Sequence, residues 1–335
     1  MPRLVRGKLR SELLEEIVLP YVGIDDPQVI IKPRVGFDAG VVEVGDKCFV
    51  MSTDPVVGVP PEFFGFFLVH YSASDVALFG ARPRWFLPTI MLPEGFSTGK
   101  LREMMRQIDG ECRKLGVATV KGHTGVYPAI EEPVGASTVI GVASRSRLVT
   151  PGGAEVRDAI VATKGIGMET ATALAFRYGR ELSRKLGRDV VDSAKRLVYE
   201  ETCVRDALIS CEVGVNAMHD ATEGGLIVCL SEIALNSNVG CKIYESRLPM
   251  PPATERILEH FQVEPAICSS TGTLVATMTA ERAQEYLKKL KQEEIHASII
   301  GEIVEKHEGN TFHRRDGKVE AFPKKVSDPY SRLLY

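Results

Sequence analysis

Between residues 9 and 19, apolar side chains recur at Leu9, Leu13, Leu14, Ile17 and Val18, a helical stripe that Pro20 ends. Short β-type runs follow at residues 29–31, 41–44 and 48–51, the last two joined by the turn signal Gly45-Asp46. Residues 63–79 are mostly apolar on all sides and predict a buried helix with Asp75 near its end. Residues 85–92 read as a strand. An amphipathic helix over 101–115 is stopped by Gly116, and strands follow at 117–120 and 134–143.

Thr150-Pro151-Gly152-Gly153 is a turn cluster between two periodic stretches and sets the domain boundary. The expected division is 1–150 and 151–335. Beyond it, a strand over 159–163 feeds Lys164-Gly165-Ile166-Gly167 and a helix to about residue 178. Helices are predicted near 190–200 and 204–211, then the turn His219-Asp220-Ala221-Thr222-Glu223-Gly224-Gly225 and a helix to about 234. The remainder alternates, with strands at 241–244, 273–278 and 297–304 and helices at 252–260 and 280–291. The pattern is that of a mixed α/β (α+β) chain in two halves, with no repeat at a 20–50 residue period.

At 335 residues the chain is long enough for two cores, and its 44% hydrophobic and 25% charged residues are ordinary for a globular protein. A net charge of −3 argues against nonspecific binding to nucleic acid or acidic membranes. No apolar run reaches the roughly 18 residues of a membrane span. Met1-Pro2-Arg3-Leu4-Val5-Arg6 has no apolar signal region behind it, so the expected compartment is the cytoplasm. Seven scattered cysteines without a CxxC pair read as reduced, buried thiols.

Four segments of the first half stand where apolar runs stop: Gly36-Phe37-Asp38-Ala39-Gly40, Ser52-Thr53-Asp54-Pro55, the run from Ser74-Asp75 to Arg82-Pro83, and Gly122-His123-Thr124-Gly125. Three bring one carboxylate each; the fourth brings a hydroxyl and an imidazole. Magnesium takes oxygen ligands from one or two carboxylates and from substrate phosphates, so dispersed acids suggest a metal–phosphate site. No GxxxxGK[ST] loop occurs. In the second half, the 164–167 loop follows a strand and opens a helix, which suits an anion but equally suits a tight turn. In the 219–225 turn, Asp220 and Thr222 are both good N-cap residues, so one of them is expected to cap the next helix.

Taken in order, GxDAG, TDP, SDVALFGARP, GHTG, strand–KGIG–helix and HDATEGGL resemble the superfamily of aminoimidazole-ribonucleotide synthetase (PurM-like). Its other members include thiamine-monophosphate kinase, selenophosphate synthetase and the hydrogenase-maturation protein HypE. The likeness spans about residues 30–305. It is nearest to the HypE-like branch, with its GDDAA, TTD, NDxAxxGAxP, GDT, DPTRGGL and EGTL segments. The resemblance implies a two-domain fold whose N-terminal domain closes a β-barrel with a second copy of the chain, a homodimer. It also implies ATP in a groove between domains, Mg²⁺ held by acids, and phosphorylation of an oxygen on a small-molecule substrate, either a kinase reaction or activation of an amide or carboxamide. Carried over residue by residue, Asp38, Asp54 and Asp75 match the metal-binding acids. Lys164, Gly165, Gly167, Thr124 and Asp220 match nucleotide-binding positions, and His123 and Asp220 are the candidates for catalysis.

Departures from the pattern are specific. Phe37 stands for the first acid of GDDAA, Ser74 for the Asn of NDxA, His123 for the acid of GDT and Thr271 for the Glu of EGTL. Imidazole is a poor magnesium ligand. HypE proteins finish on a reactive cysteine, whereas this sequence runs Ser327-Asp328-Pro329-Tyr330-Ser331-Arg332-Leu333-Leu334-Tyr335 and its last cysteine is Cys268. The frame is therefore HypE-like, without the self-modifying thiol chemistry. Two expectations follow: an ATP- and Mg²⁺-dependent enzyme, or a nucleotide-binding partner of a maturation complex with little turnover.

Overall fold

The structure, a computed structural model, describes Leu4, Gly7 and residues 9–334. The other N-terminal residues read for a leader, and the final Tyr335, lie outside the described residues. The chain forms two compact units, one made of Ile24–Pro33 and Phe37–Leu148, the other of Met1–Gly23, Arg34–Gly36 and Val149–Tyr335. The change of unit at Leu148 falls two residues before the Thr150 turn. The leading segment through Gly23 groups with the second unit, not with the strands that follow it.

The first unit is built on seven strands: β1 (Val29–Ile31), β2 (Gly40–Val44), β3 (Lys47–Val56), β4 (Arg82–Leu92), β5 (Ala118–Thr119), β6 (His123–Val126) and β7 (Val134–Ala143). Their order is β1-β2-β3-β7-β4-β5, with β6 also on β4. Pairing is antiparallel except for β5 and β6, which run parallel to β4. Strand β7 alternates strictly between buried and half-buried positions, as a one-face-covered sheet requires. The cover is helix α2 (Phe64–Leu78), apolar nearly all round and buried at every position but Tyr71. Close approach is set by β7 itself: a Cβ on Gly141 would lie 2.4 Å from Val76 Cγ1. Outside α2 lies α3 (Thr98–Leu115), which buries Met104, Ile108, Glu111 and Cys112 along one stripe and ends on Gly116 at φ 70°. His70 of α2 and Glu111 of α3 pair at 3.2 Å between the helices.

Two expectations for this unit change. Ser52-Thr53-Asp54-Pro55 is not a strand end: β3 runs through it, Asp54 opposite Ser137 and Pro55 opposite Ala136 of β7. Proline is tolerated because β2 pairs only with Lys47 to Met51, so the missing N–H falls on a stretch of β3 with no β2 partner. Likewise, His123, Thr124 and Gly125 of the 122–125 segment lie within the strand β6 rather than where a run stops.

The second unit carries the sheet β14-β13-β10-β12-β8-β11-β9. Its strands are β8 (Ala159–Thr163), β9 (Ala217–Asp220), β10 (Gly240–Tyr244), β11 (Leu274–Met278), β12 (Ala297–Val304), β13 (Asn310–His313) and β14 (Val319–Ala321). Central β8 and β11 are buried at every position, which explains their continuous apolar runs. Helix α8 (Gly225–Ser237) packs Leu226, Leu230 and Ile233 with Ile160, Val275 and Ile300. A second core joins α4 (Met168–Arg177), α5 (Gly179–Leu186), α6 (Arg188–Arg196), α9 (Pro252–Phe261) and α11 (Pro329–Leu334) through Leu174, Leu182, Val191, Ile257 and Leu334. Helices α7 (Val204–Val213) and α10 (Ala280–Gln292) pack together, and Tyr286 of α10, fully buried, donates to the Asp206 carbonyl at 2.9 Å. The N-terminal stripe forms α1 (Ser11–Leu13), which continues as a π-helical turn over Leu14–Val18. None of the described helices is long and apolar enough to cross a membrane.

Candidate functional site

In the first unit, β3 and α2 bring two of the three predicted metal acids onto facing elements. Cys48, Val50, Ser52 and Val56 point to the buried face of β3, and Asp54 shares their parity. The Ser52 hydroxyl donates to Asp75 Oδ2 of α2 at 2.6 Å, and the Asp54 N–H donates to Ser72 Oγ of α2 at 3.1 Å. Asp75 is buried, so Ser52 replaces part of its lost hydration and fixes its direction. Asp38 sits two residues before Gly40, which pairs with Met51 of β3. Its carboxylate, like those of Asp54 and Asp75, is an oxygen donor of the kind a hard cation takes. Thr124 and His123 are exposed on β6, and His123 Nε2 pairs with the Tyr127 hydroxyl at 2.5 Å.

In the second unit, three segments meet at one end of the sheet. Leu274 of β11 faces Asp220 of β9, and its neighbour Val275 faces Ala162 of β8, so the chain leaves β8 and β9 at the edge where it enters β11. The 164–167 loop, the turn after Asp220 and residues 268–273 therefore share that edge. Ser270 N donates to the Ala221 carbonyl at 2.9 Å, and Thr273 Oγ1 donates to the Gly165 carbonyl at 2.8 Å.

Within this edge the 164–167 loop is turned inward. Lys164 is buried at φ 58°, and its ammonium donates to Asp206 Oδ2 at 2.6 Å and to the Thr202 and Gly272 carbonyls at 2.7 and 2.8 Å. All three protons of the amine are committed. Burial alone would depress its pKa, yet the Asp206 charge raises it above the ordinary lysine value. Two of the loop amides are committed as well: Ile166 N–H goes to the Pro249 carbonyl and Gly167 N–H to Ser270 Oγ at 2.6 Å. Gly167 is required by its φ of 74° and by Leu258, whose Cδ1 would lie 2.5 Å from a Cβ. These contacts are those of a tight packing turn.

Neither Asp220 nor Thr222 caps α8. The N-cap is Gly224, at φ 81° and without a cap of its own. Its N–H donates instead to Asp328 Oδ2 at 2.8 Å, a carboxylate 104 residues further along the chain. Asp220 ends β9, buried beside His219. The His219 imidazole bridges Asp220 Oδ1 at 3.3 Å and Glu232 Oε2 at 2.9 Å.

One acid of this edge was not anticipated. Thr271 stands where the resemblance implies a glutamate, and Glu169 in the first turn of α4 reaches that same residue. Its Oε2 accepts from Thr271 Oγ1 and Ser269 Oγ, both at 2.6 Å, and from Thr271 N at 3.1 Å. Burial pushes the Glu169 pKa up, partly offset by these bonds, and the Asp328 charge raises it further. Glu201, buried nearby, is pushed well above the ordinary carboxylate range by burial and by the Glu169 charge. A helix-start glutamate carried no local signal toward a threonine 102 positions away.

Residues 36–143 match the N-terminal domain of the AIR synthase related protein family, and residues 155–314 match its C-terminal domain. The chain is 30% identical over 313 residues to the carbamoyl dehydratase HypE of Cupriavidus necator, covering 89% of this chain and 84% of that protein. Among solved structures, the hydrogenase maturation protein HypE in complex with ATP is similar with a TM-score of 0.70, at 24% identity over 97% of each chain. AaThiL complexed with AMPPCP and TMP is similar with a TM-score of 0.74, at 19% identity, over 95% of this chain and 98% of that one.

Proposed function

The chain belongs to the AIR synthase related family, and from that membership we propose that it is an ATP- and Mg²⁺-dependent enzyme that phosphorylates an oxygen of a small molecule. The observation that carries this reading is the meeting of three polar segments (residues 164–167, 220–225 and 268–273) at one edge of the second sheet. The two similar structures named above hold ATP and AMPPCP respectively.

Asp38, Asp54 and Asp75 would hold Mg²⁺ through carboxylate oxygens, with Ser52 keeping Asp75 oriented. Bound Mg²⁺ would neutralise phosphate charge and help align the transferring group. Asp220 and Thr124 would contact the nucleotide, while Lys164, Gly165 and Gly167 shape its surroundings by packing. Glu169 suits proton transfer. Its Oε2 is anchored by three donors, its Oε1 carries no hydrogen bond among the described residues, and burial raises its pKa above the ordinary value. His123 and Asp220 remain the other candidates for acid–base work.

A second copy of the chain is the proposed partner of the first unit. Val120 and Val126 at the β5–β6 edge are 61% and 56% exposed, and an uncovered edge strand carrying apolar side chains is suited to pairing. Light scattering on the purified protein checks this.

The reaction is tested by incubating the protein with ATP, Mg²⁺ and carboxamide or alcohol substrates and following ³¹P NMR. A phosphorylated alcohol marks a kinase; ADP with free phosphate and a changed amide marks amide activation. A second reading, a nucleotide-binding partner in a maturation complex with background turnover, is favoured by Thr271 and His123 standing where acids are implied. Substrate-stimulated ADP release is incompatible with it.

A further inference from the structure

The junction of α4, α5 and α6 in the second unit forms an open groove of about 740 Å³, within the size range of small-molecule sites. Five cations line it: Arg177, Arg180, Arg184, Arg188 and Lys195. Residues 176–196 hold seven basic and three acidic side chains, a local charge of +4 in a chain whose net charge is −3. Among the described residues, none of the five cations has a carboxylate within ion-pairing distance, although Glu181 and Asp192 also line the groove.

The four arginines are exposed and Lys195 is half-buried, all facing the same groove. Arg180 lies in the first turn of α5 and Arg188 is the first residue of α6. A cation at a helix start opposes the macrodipole, although Glu181 and Asp189 in the same first turns favour it. Neither helix start has a side-chain cap. Lys195 is held over the Phe176 ring, 5.2 Å from its centroid, and passes the spot a Cβ on Gly179 would occupy, 3.3 Å from its Nζ. Arginine forks, a lysine and an uncapped helix start thus face one space.

We infer that this groove binds a small polyanion, a molecule bearing two or more phosphate or carboxylate groups, which the guanidinium forks would take in bidentate fashion. An anion there turns two unfavourable cation–helix contacts into favourable three-way ones. The site lies at the C-terminal end of α4, whose ten residues span roughly 15 Å from the 164–167 loop. It is independent of the proposed phosphoryl transfer.

Titration calorimetry of the full chain with inorganic tripolyphosphate, and separately with citrate, both without Mg²⁺ or nucleotide, tests the inference. Binding of at least one probe is expected, weakening with added salt. In R180E/R188E the affinity should fall at least about tenfold, with an unchanged circular dichroism spectrum and unchanged ATP–Mg²⁺ binding. Which probe binds more tightly identifies phosphate or carboxylate as the natural group. No binding of either at millimolar concentration, or equal affinity in R180E/R188E, overturns it.

Discussion

Lys164 Nζ donates to Asp206 Oδ2 at 2.6 Å inside the second unit, with both side chains almost wholly buried. Thr163 Oγ1 donates to the same oxygen at 2.7 Å. The remaining Asp206 oxygen, Oδ1, has no partner, so the carboxylate depends heavily on the lysine charge. Removing one member of a buried pair strands the other charge.

Lys164→Met should therefore destabilise the protein by about 3–5 kcal/mol, read as a drop in urea midpoint. The double variant K164M/D206L should recover much of the loss. The pair's contribution is fully present below the unfolded lysine pKa, because the folded value is raised, and it is lost only as pH climbs through that raised value. A K164M protein of unchanged stability that no longer bound nucleotide would instead give the amine a ligand-binding role.

Glu201 and Glu169 shift stability in the same pH direction, but over a lower range. Their folded pKa values lie above the ordinary 4.5, so the folded state keeps protons that the unfolded chain releases. Stability from this pair is highest below that value and declines as pH rises through the raised ones. Glu201→Gln should flatten the decline, gaining more over wild type at pH 8 than at pH 5 in matched urea titrations. Parallel pH profiles for the two proteins would contradict the assignment.

Asp328 holds the start of α8 through the Gly224 N–H and also accepts from Tyr330 N at 2.8 Å. Asp328→Ala should cost about 1 kcal/mol, the usual loss of a helix cap. Hydrogen exchange should show faster amide exchange at residues 224–226, with β12 amides unaffected. Equal protection in both proteins would mean that the contact contributes nothing.

Burial pushes the thiols of Cys241 and Cys268 up to about 12 and that of Cys112 to about 11, whereas Cys211 is partly exposed. A thiolate-specific reagent at neutral pH should label Cys211 first, leave Cys112, Cys241 and Cys268 unlabelled in the native protein, and reach all seven in urea. Rapid native labelling of Cys268 would contradict the packing around it.

Legibility in the sequence followed how local the determining physics is. The strands β7 and β8 were readable to the residue because alternation and a continuous apolar run are local signals of one-face and two-face burial. Helix α5 gave no such signal, since Leu182 is its single buried residue. Strands β13 and β14 are short and largely unburied. Pro55 reads as a stop, and only the absent β2 partner makes it tolerable in β3. At the candidate site, the 164–167 loop and the 219–225 turn were found from glycine spacing. Their partners were not, because Asp206, Glu169 and Asp328 arrive from far along the chain.

The central claim is nucleotide binding that depends on Mg²⁺ and on the acids of the first unit. Titration calorimetry with ATP, with and without Mg²⁺, on wild type and on Asp54→Asn measures it directly. The account predicts saturable binding by wild type that is strengthened by Mg²⁺, with that strengthening lost in D54N while the fold is retained. No heat of binding with ATP and Mg²⁺, or the same Mg²⁺ dependence in D54N, would contradict it.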